Sequence, residues 1–311
     1  MALSSPAALS SASPRGSGGL AGFTHRHFPW LTVFPAVLVI LLVGLFPFLY
    51  SLVVSFTKVN RRVADYSFHG LINYAKLIAD ERFWNAALNT GIFTAVALPL
   101  ELILGLALAR LLLNPIPGRQ VFIALLILPA VICPVVGGAM WRLMFDNQFG
   151  PINHLISMLA GQRVDILWLI DDKPVQVFSA ILLCEIWQWT PFMFLIMLAG
   201  LGNVDKSLTE AATVDGASDW VIFYRIMLPV IRPVIYVALT IRALDLIRLF
   251  DIVYALTRGG PGTLSETISI YAYVTGFEKF DVSYTAAIAI FLIVVLSVVV
   301  TVALKRLEIA R

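Results

Sequence analysis

The chain has 311 residues, of which 59% are hydrophobic and only 13% charged, with a net charge of +3. A soluble globule is nearer half apolar and a quarter charged. A mean hydropathy of +0.89 therefore excludes an ordinary water-soluble domain, and so small a net charge argues against nucleic-acid binding.

Residues 1–28 are rich in Ser, Ala, Gly and Pro and read as a disordered tail. The apolar segment after them is too long for a signal peptide and is expected to remain as a span. Crossing the hydrocarbon takes roughly 20 mostly apolar residues as a helix. Six segments qualify: about 30–56, 86–113, 121–145, 177–201, 230–256 and 284–304. Only helices satisfy their own backbone groups in lipid, and no alternating ten-residue strand pattern is present. Residues 29–307 are expected to form the membrane domain and 308–311 a short tail. Six spans put both termini on one side, but Lys and Arg divide almost evenly between the two sides, so charge alone does not orient the chain.

Cys133 and Cys184 lie in apolar runs, without metal or redox spacing, and are expected to be small packing residues. The histidines all fall outside the spans, and no acid–base or metal-ligand cluster lies at membrane depth. Ionisable residues inside spans are costly and point to function. Glu101 and Glu185 have no evident role beyond pairing or packing. Arg242, Asp245, Arg248 and Asp251 recur every three residues, so Arg242–Asp245 and Asp245–Arg248 can pair. They either neutralise one another in the bundle or contact a solute. Gln188, Trp189 and Phe192, around Pro191, suit hydrogen bonding and stacking on a sugar, or simple packing.

The polar loop before the fifth span reads as two short helices. Ser207 and Glu210 have capping-box spacing, Gly216 can end the first helix, and Ser218 can cap the second. Pro229 should stop that second helix near Leu228. By itself this could be a surface hairpin packed on its own bundle.

Glu210-Ala211-Ala212, with Gly216 four residues on and then Ile226, Leu228 and Pro229, resembles the EAA motif of membrane subunits of binding-protein-dependent ATP-driven importers. The fuller run through Asp215 and Ser218 resembles the carbohydrate-uptake branch, which includes the maltose and glycerol-phosphate importers. The resemblance extends over about 30–305. It includes Gly70-Leu71-Ile72-Asn73-Tyr74, Leu128-Pro129, Trp141, Trp187, Trp189, Pro191-Phe192, Leu201, Phe250-Asp251, Tyr254 and Gly259-Gly260-Pro261. Ser283 departs from it, where relatives usually carry Gly, and is expected to loosen a turn.

The resemblance implies an all-α transmembrane, six-helix bundle of the type I importer class in a bacterial inner membrane, with both termini and the 205–229 hairpin cytoplasmic. It implies a coupling surface at Glu210, Ala211, Ala212, Asp215, Gly216, Ile226, Leu228 and Pro229. It also implies solute contacts at Asp245 and Arg248, and the expected solute pathway comprises these with Leu249 and, on their own chemistry, Gln188, Trp189 and Phe192. The expected partners are a second homologous permease, two copies of an ATPase and an extracytoplasmic solute-binding protein. No Gly-x-x-x-x-Gly-Lys-Ser/Thr run occurs, so ATP and Mg are expected on the ATPase, with no cofactor on this chain. An ion-driven secondary transporter is the alternative; it would leave the EAA hairpin unexplained.

Overall fold

A computed structural model describes residues 32–60, 64–170 and 173–309. The expected terminal tails lie almost entirely outside these residues. The chain divides into two units, residues 1–53 and 54–311. The first contributes nearly all of α1 (Thr32–Val54), an apolar helix with a π turn at Leu41–Leu45 and almost every side chain exposed. Such a helix can shed its apolar surface only into lipid or a partner.

The second unit opens with a two-residue hairpin, β1 (Lys58–Val59) and β2 (Ala64–Asp65), and the short helix α2 (Ile72–Ala79). The long helix α3 (Glu81–Leu111) comes next, capped by Asp80, whose carboxylate accepts the amides of Arg82 and Phe83. Its main partner is α7 (Pro174–Gly202). Gly105 allows this close approach, because a Cβ there would lie 2.6 Å from Met193 Cβ and 2.8 Å from the backbone nitrogen of Phe194. Pro191 is carried inside α7 without ending it.

The third span departs from expectation. It is two helices, α4 (Arg119–Val131) and α5 (Pro134–Met144), bent by 95°. Pro134 has no N–H to continue the ladder and starts the next helix instead. Cys133 sits in this break and is exposed, while Cys184 is buried as expected.

The loop after it carries α6 (Pro151–Ala160). Beyond α7 come α8 (Lys206–Val214) and α9 (Asp219–Val230), then α10 (Arg232–Ile247) at 67° to α9. The expected stop at Leu228 does not occur. A π turn at Phe223–Met227 lets the Leu228 amide reach back to the Phe223 carbonyl, Leu228 stays helical before Pro229, and the chain bends at Ile231 instead.

Nor is the fifth span continuous to residue 256. It unwinds over 248–250 and resumes as α11 (Asp251–Leu256). After α12 (Ile268–Tyr273) the chain ends in α13 (Val282–Ile309). Ser283 does not loosen its turn: its hydroxyl hydrogen-bonds Thr57 Oγ1 at 2.9 Å and accepts the Val59 amide at 2.8 Å. A glycine could do neither.

Among the described residues, four helices are long and apolar enough to cross a membrane, and six crossings result if each bent pair counts as one. Three apolar cores hold the second unit together. One joins α3, α7 and α10 to the hairpin, one lies between α7 and α11, and one gathers α2, α12 and the start of α13 around Phe83.

Candidate functional site

The two helix breaks meet at a cavity of about 330 Å³. Pro134 from the third span, Glu185 and Trp189 from α7, and Arg242, Asp245 and residues 248–252 from the fifth line it. Broken helices are tolerated at membrane depth where the irregular backbone lines a cavity or is capped by protein. Both conditions hold here. Gln188 Nε2 donates to the carbonyls of Pro129 and Ile132, at 2.5 and 2.7 Å, where α4 ends. Thr267 Oγ1 donates to the Leu249 carbonyl at 2.8 Å in the other break.

Of the solute residues expected from sequence, Trp189, Asp245, Arg248 and Leu249 line the cavity. Gln188 does not; it is buried and its amide is committed to the α4 break. Phe192 packs toward the α3–α7 core, with its ring centroid 6.4 Å from that of Trp189.

Charge pairing also differs from the local pattern. Arg248 bonds Asp245 at 3.0 Å, as its spacing suggests. Arg242 instead turns to two other helices. Its Nε and Nη2 donate to Glu101 at 2.7 and 2.8 Å, and Nη2 also donates to Glu185 at 2.5 Å. All three side chains are at most 2% exposed. The guanidinium lies 4.8 Å from the Trp189 ring centroid. Glu101, Glu185 and Arg242 thus tie α3, α7 and α10 together at the level of the cavity. Sequence reasoning noted both acids but not their common partner, because an acid three residues from Arg242 offered a nearer one.

On one end of the bundle stands the helical hairpin. Asp205, not Ser207, caps α8 by accepting the Ser207 amide at 2.9 Å. Those amide and hydroxyl bonds hold the Asp205 carboxyl below its usual value. Gly216, at φ +78°, makes the corner. Ser218 begins α9 without a side-chain cap. The EAA residues divide between two faces. Ala212 is buried with Ile222, Phe223 and Met227 against Ala109, Leu112 and Leu201. Glu210, Ala211, Asp215 and Gly216 are exposed, and Ile226, Leu228 and Pro229 are half-buried. Arg110, at the end of α3, lies 3.5 Å over the Trp220 ring and 4.5 Å over Phe223. The hairpin is therefore fixed to the spans at its base and open along its outer edge.

A clamp orders the other end. Arg82 reaches Glu266 through two bonds of 2.8 Å. Asn89 donates to the carbonyls of Leu264 and Glu266, and Thr90 Oγ1 accepts the Ile268 amide. These contacts pin the Gly259-Gly260-Pro261 loop and the start of α12 to α3. The hydroxyls of Tyr271 and Tyr284 both donate to Asp80 Oδ2.

The family described as the binding-protein-dependent transport system inner membrane component matches residues 18–309. The chain belongs to this family. It is 36% identical over 272 residues to the probable ABC transporter permease protein y4oQ of Sinorhizobium fredii, covering 86% of each chain. It is 34% identical to the trehalose/maltose transport system permease protein MalF of Thermococcus litoralis, over 81% of this chain and 84% of that one. The fold is that of a chain in the crystal structure of a bacterial ABC transporter involved in the import of the acidic polysaccharide alginate. That match has a TM-score of 0.77 and 24% identity, over 93% of this chain and 98% of that chain. The protein is thus the multi-pass inner-membrane permease subunit of an ATP-driven, binding-protein-dependent importer, with hydrolysis on a separate subunit. Membership of this family excludes the secondary-transporter alternative.

Proposed function

We propose that this permease forms half of the pathway for a sugar or sugar-like solute, and that the cavity at the two helix breaks is where the solute passes. The observation that carries this reading is the meeting of Trp189 with Asp245 and Arg248 in one 330 Å³ space. An aromatic face suits the apolar side of a pyranose, and paired charges suit its hydroxyl edges. The Thermococcus relative is named for trehalose and maltose. A second, homologous permease completes the pathway, two ATPase copies bind below, and a solute-binding protein docks above. Both termini and the 205–229 hairpin face the cytoplasm. The exposed edge of α8, with Glu210, Ala211, Asp215 and Gly216, meets the ATPase. Ala212 serves instead to seat the hairpin, along with the half-buried Ile226, Leu228 and Pro229.

The test is ATP-driven uptake by the assembled importer in proteoliposomes, scored with labelled mono- and disaccharides. Replacing Trp189→Ala should lower uptake about tenfold, as expected for a lost contact of about 1.4 kcal/mol, with ATPase assembly unchanged. Full uptake by that variant would remove the cavity from the pathway.

A further inference from the structure

The helix α6 is amphipathic in the inverted sense. Its inward face is polar. Asn153 Nδ2 donates to the Ile166 carbonyl, Asn153 Oδ1 accepts the Trp168 indole N–H, and Ser157 Oγ accepts the Val164 amide, each at 2.9 Å. Its outward face is apolar. Leu155, Met158 and Leu159 share one side of the helix and are 56%, 72% and 80% exposed. In water this is inside out, because a surface helix turns its apolar stripe to the core. The surroundings say what covers the stripe. Ile152 and Trp168 pack this loop onto the core between α7 and α11, where the third span ends and α7 begins. Leu143 and Val175, each 74% exposed, carry bare apolar surface up to that level on the two neighbouring spans. Protein-binding faces are anchored on Trp, Tyr and Arg, and this stripe has none of them. The polar side of α6 instead borders a cavity of about 390 Å³, whose lining includes His154, Arg163 and Asp165. Apolar chains on one side and charged groups on the other follow the order from acyl chains to headgroups.

We infer that α6 lies in the plane of the membrane surface, with Leu155, Met158 and Leu159 sunk among phospholipid acyl chains and the Arg163 cavity at headgroup level. The leaflet is the one opposite the hairpin, since α6 precedes α7 and the hairpin follows it. The occupant of the stripe is lipid, neither the second permease nor the solute-binding protein. This requires only a membrane-embedded chain and does not rest on the passage of sugar. It gives the inverted pattern a use: the loop leads into α7, which brings Glu185 and Trp189 to the central cavity, so an anchored α6 fixes the depth at which that helix enters the membrane.

Spin-label accessibility in the assembled importer tests this, in phospholipid nanodiscs with and without the solute-binding protein. Single nitroxides are placed by Leu155→Cys, Met158→Cys and Leu159→Cys, and by Arg163→Cys as the polar reference, in a background of Cys133→Ser and Cys184→Ala. All four positions are exposed, so the label displaces no core packing, and ATP-driven uptake checks that each variant still assembles. At 155, 158 and 159 collisions with oxygen should exceed those with a water-soluble nickel chelate, at a depth of roughly 5–10 Å below the phosphates. At 163 the nickel chelate should prevail. Adding the solute-binding protein should leave the first three unchanged. Nickel prevailing at 155, 158 and 159 would show a face in water. Few collisions with either reagent would show a protein cover, and an oxygen advantage lost on adding the solute-binding protein would name that protein. Each of these three results overturns the inference while leaving the sugar pathway standing.

Discussion

Arg242 shows how much a single side chain carries. It is buried, it bonds carboxylates from two other helices, and it lies against the ring expected to face solute. Replacing it with an apolar or neutral residue leaves two acids buried without a counter-charge, which typically costs about 3–5 kcal/mol. Arg242→Gln should therefore lower the thermal unfolding temperature of the detergent-purified protein sharply; an unchanged midpoint would contradict this. Sequence made this residue visible as an intramembrane charge but gave it the wrong partner. Spacing along one helix reports near neighbours, whereas Glu101 and Glu185 reach it across the bundle. The place of Gln188 was left open for a similar reason: it depends on two carbonyls released by a break in another span. Asp80 gives a pH dependence at the clamp around Glu266 and Tyr271. Burial alone would raise its carboxyl. The hydroxyls of Tyr271 and Tyr284 and the amides of Phe83 and Arg82 outweigh that and hold it below the usual carboxylate value. Burial and Asp80 in turn push the Tyr271 hydroxyl up to about 12. Because the folded value is depressed, the stabilisation is present above the unfolded value and is lost as pH falls through the folded one. Acid unfolding monitored from neutral pH down through the carboxylate range should thus be less steep in Asp80→Asn than in the parent protein.

The hairpin formed by α8 and α9 was the most legible element in the sequence, because its turn chemistry is local. Gly216 at a positive φ needs only a few neighbouring residues, although the first cap is Asp205 rather than Ser207 and Ser218 makes none. Its far end was less legible, since the π turn over Phe223–Met227 accommodates Pro229 and shifts the corner to Ile231. The same limit applied to the spans. Their number and approximate ends could be read from hydropathy, but the breaks at Cys133 and at 248–250 could not. A break is stable only where Gln188 and Thr267, distant in sequence, cap the freed carbonyls. The corner itself is testable. No neighbour crowds Gly216, so a side chain there is opposed by backbone conformation alone. A β-branched residue in that region costs on the order of 1–3 kcal/mol. Gly216→Val should insert into the membrane normally yet show markedly lower ATP-driven uptake. Normal uptake would mean that the corner need not be rigid.

At the scale of the molecule, α3 links the two ends of the second unit. Its start is pinned through Arg82, Asn89 and Thr90 to the Gly259-Gly260-Pro261 region. Its middle holds Arg242 through Glu101, beside the cavity, and its end holds the hairpin through Arg110. A push on the hairpin is thus delivered to the same helix that braces the cavity, which is the connection an ATP-driven permease requires. Such coupling requires the hairpin to stand on the ATPase side. The direct measurement places one cysteine by Ala211→Cys, in a background of Cys133→Ser and Cys184→Ala. A membrane-impermeant thiol reagent is then applied to intact spheroplasts and to inside-out vesicles. Labelling only in the vesicles, and protection there by the bound ATPase, is the expected result; labelling in intact spheroplasts would contradict it.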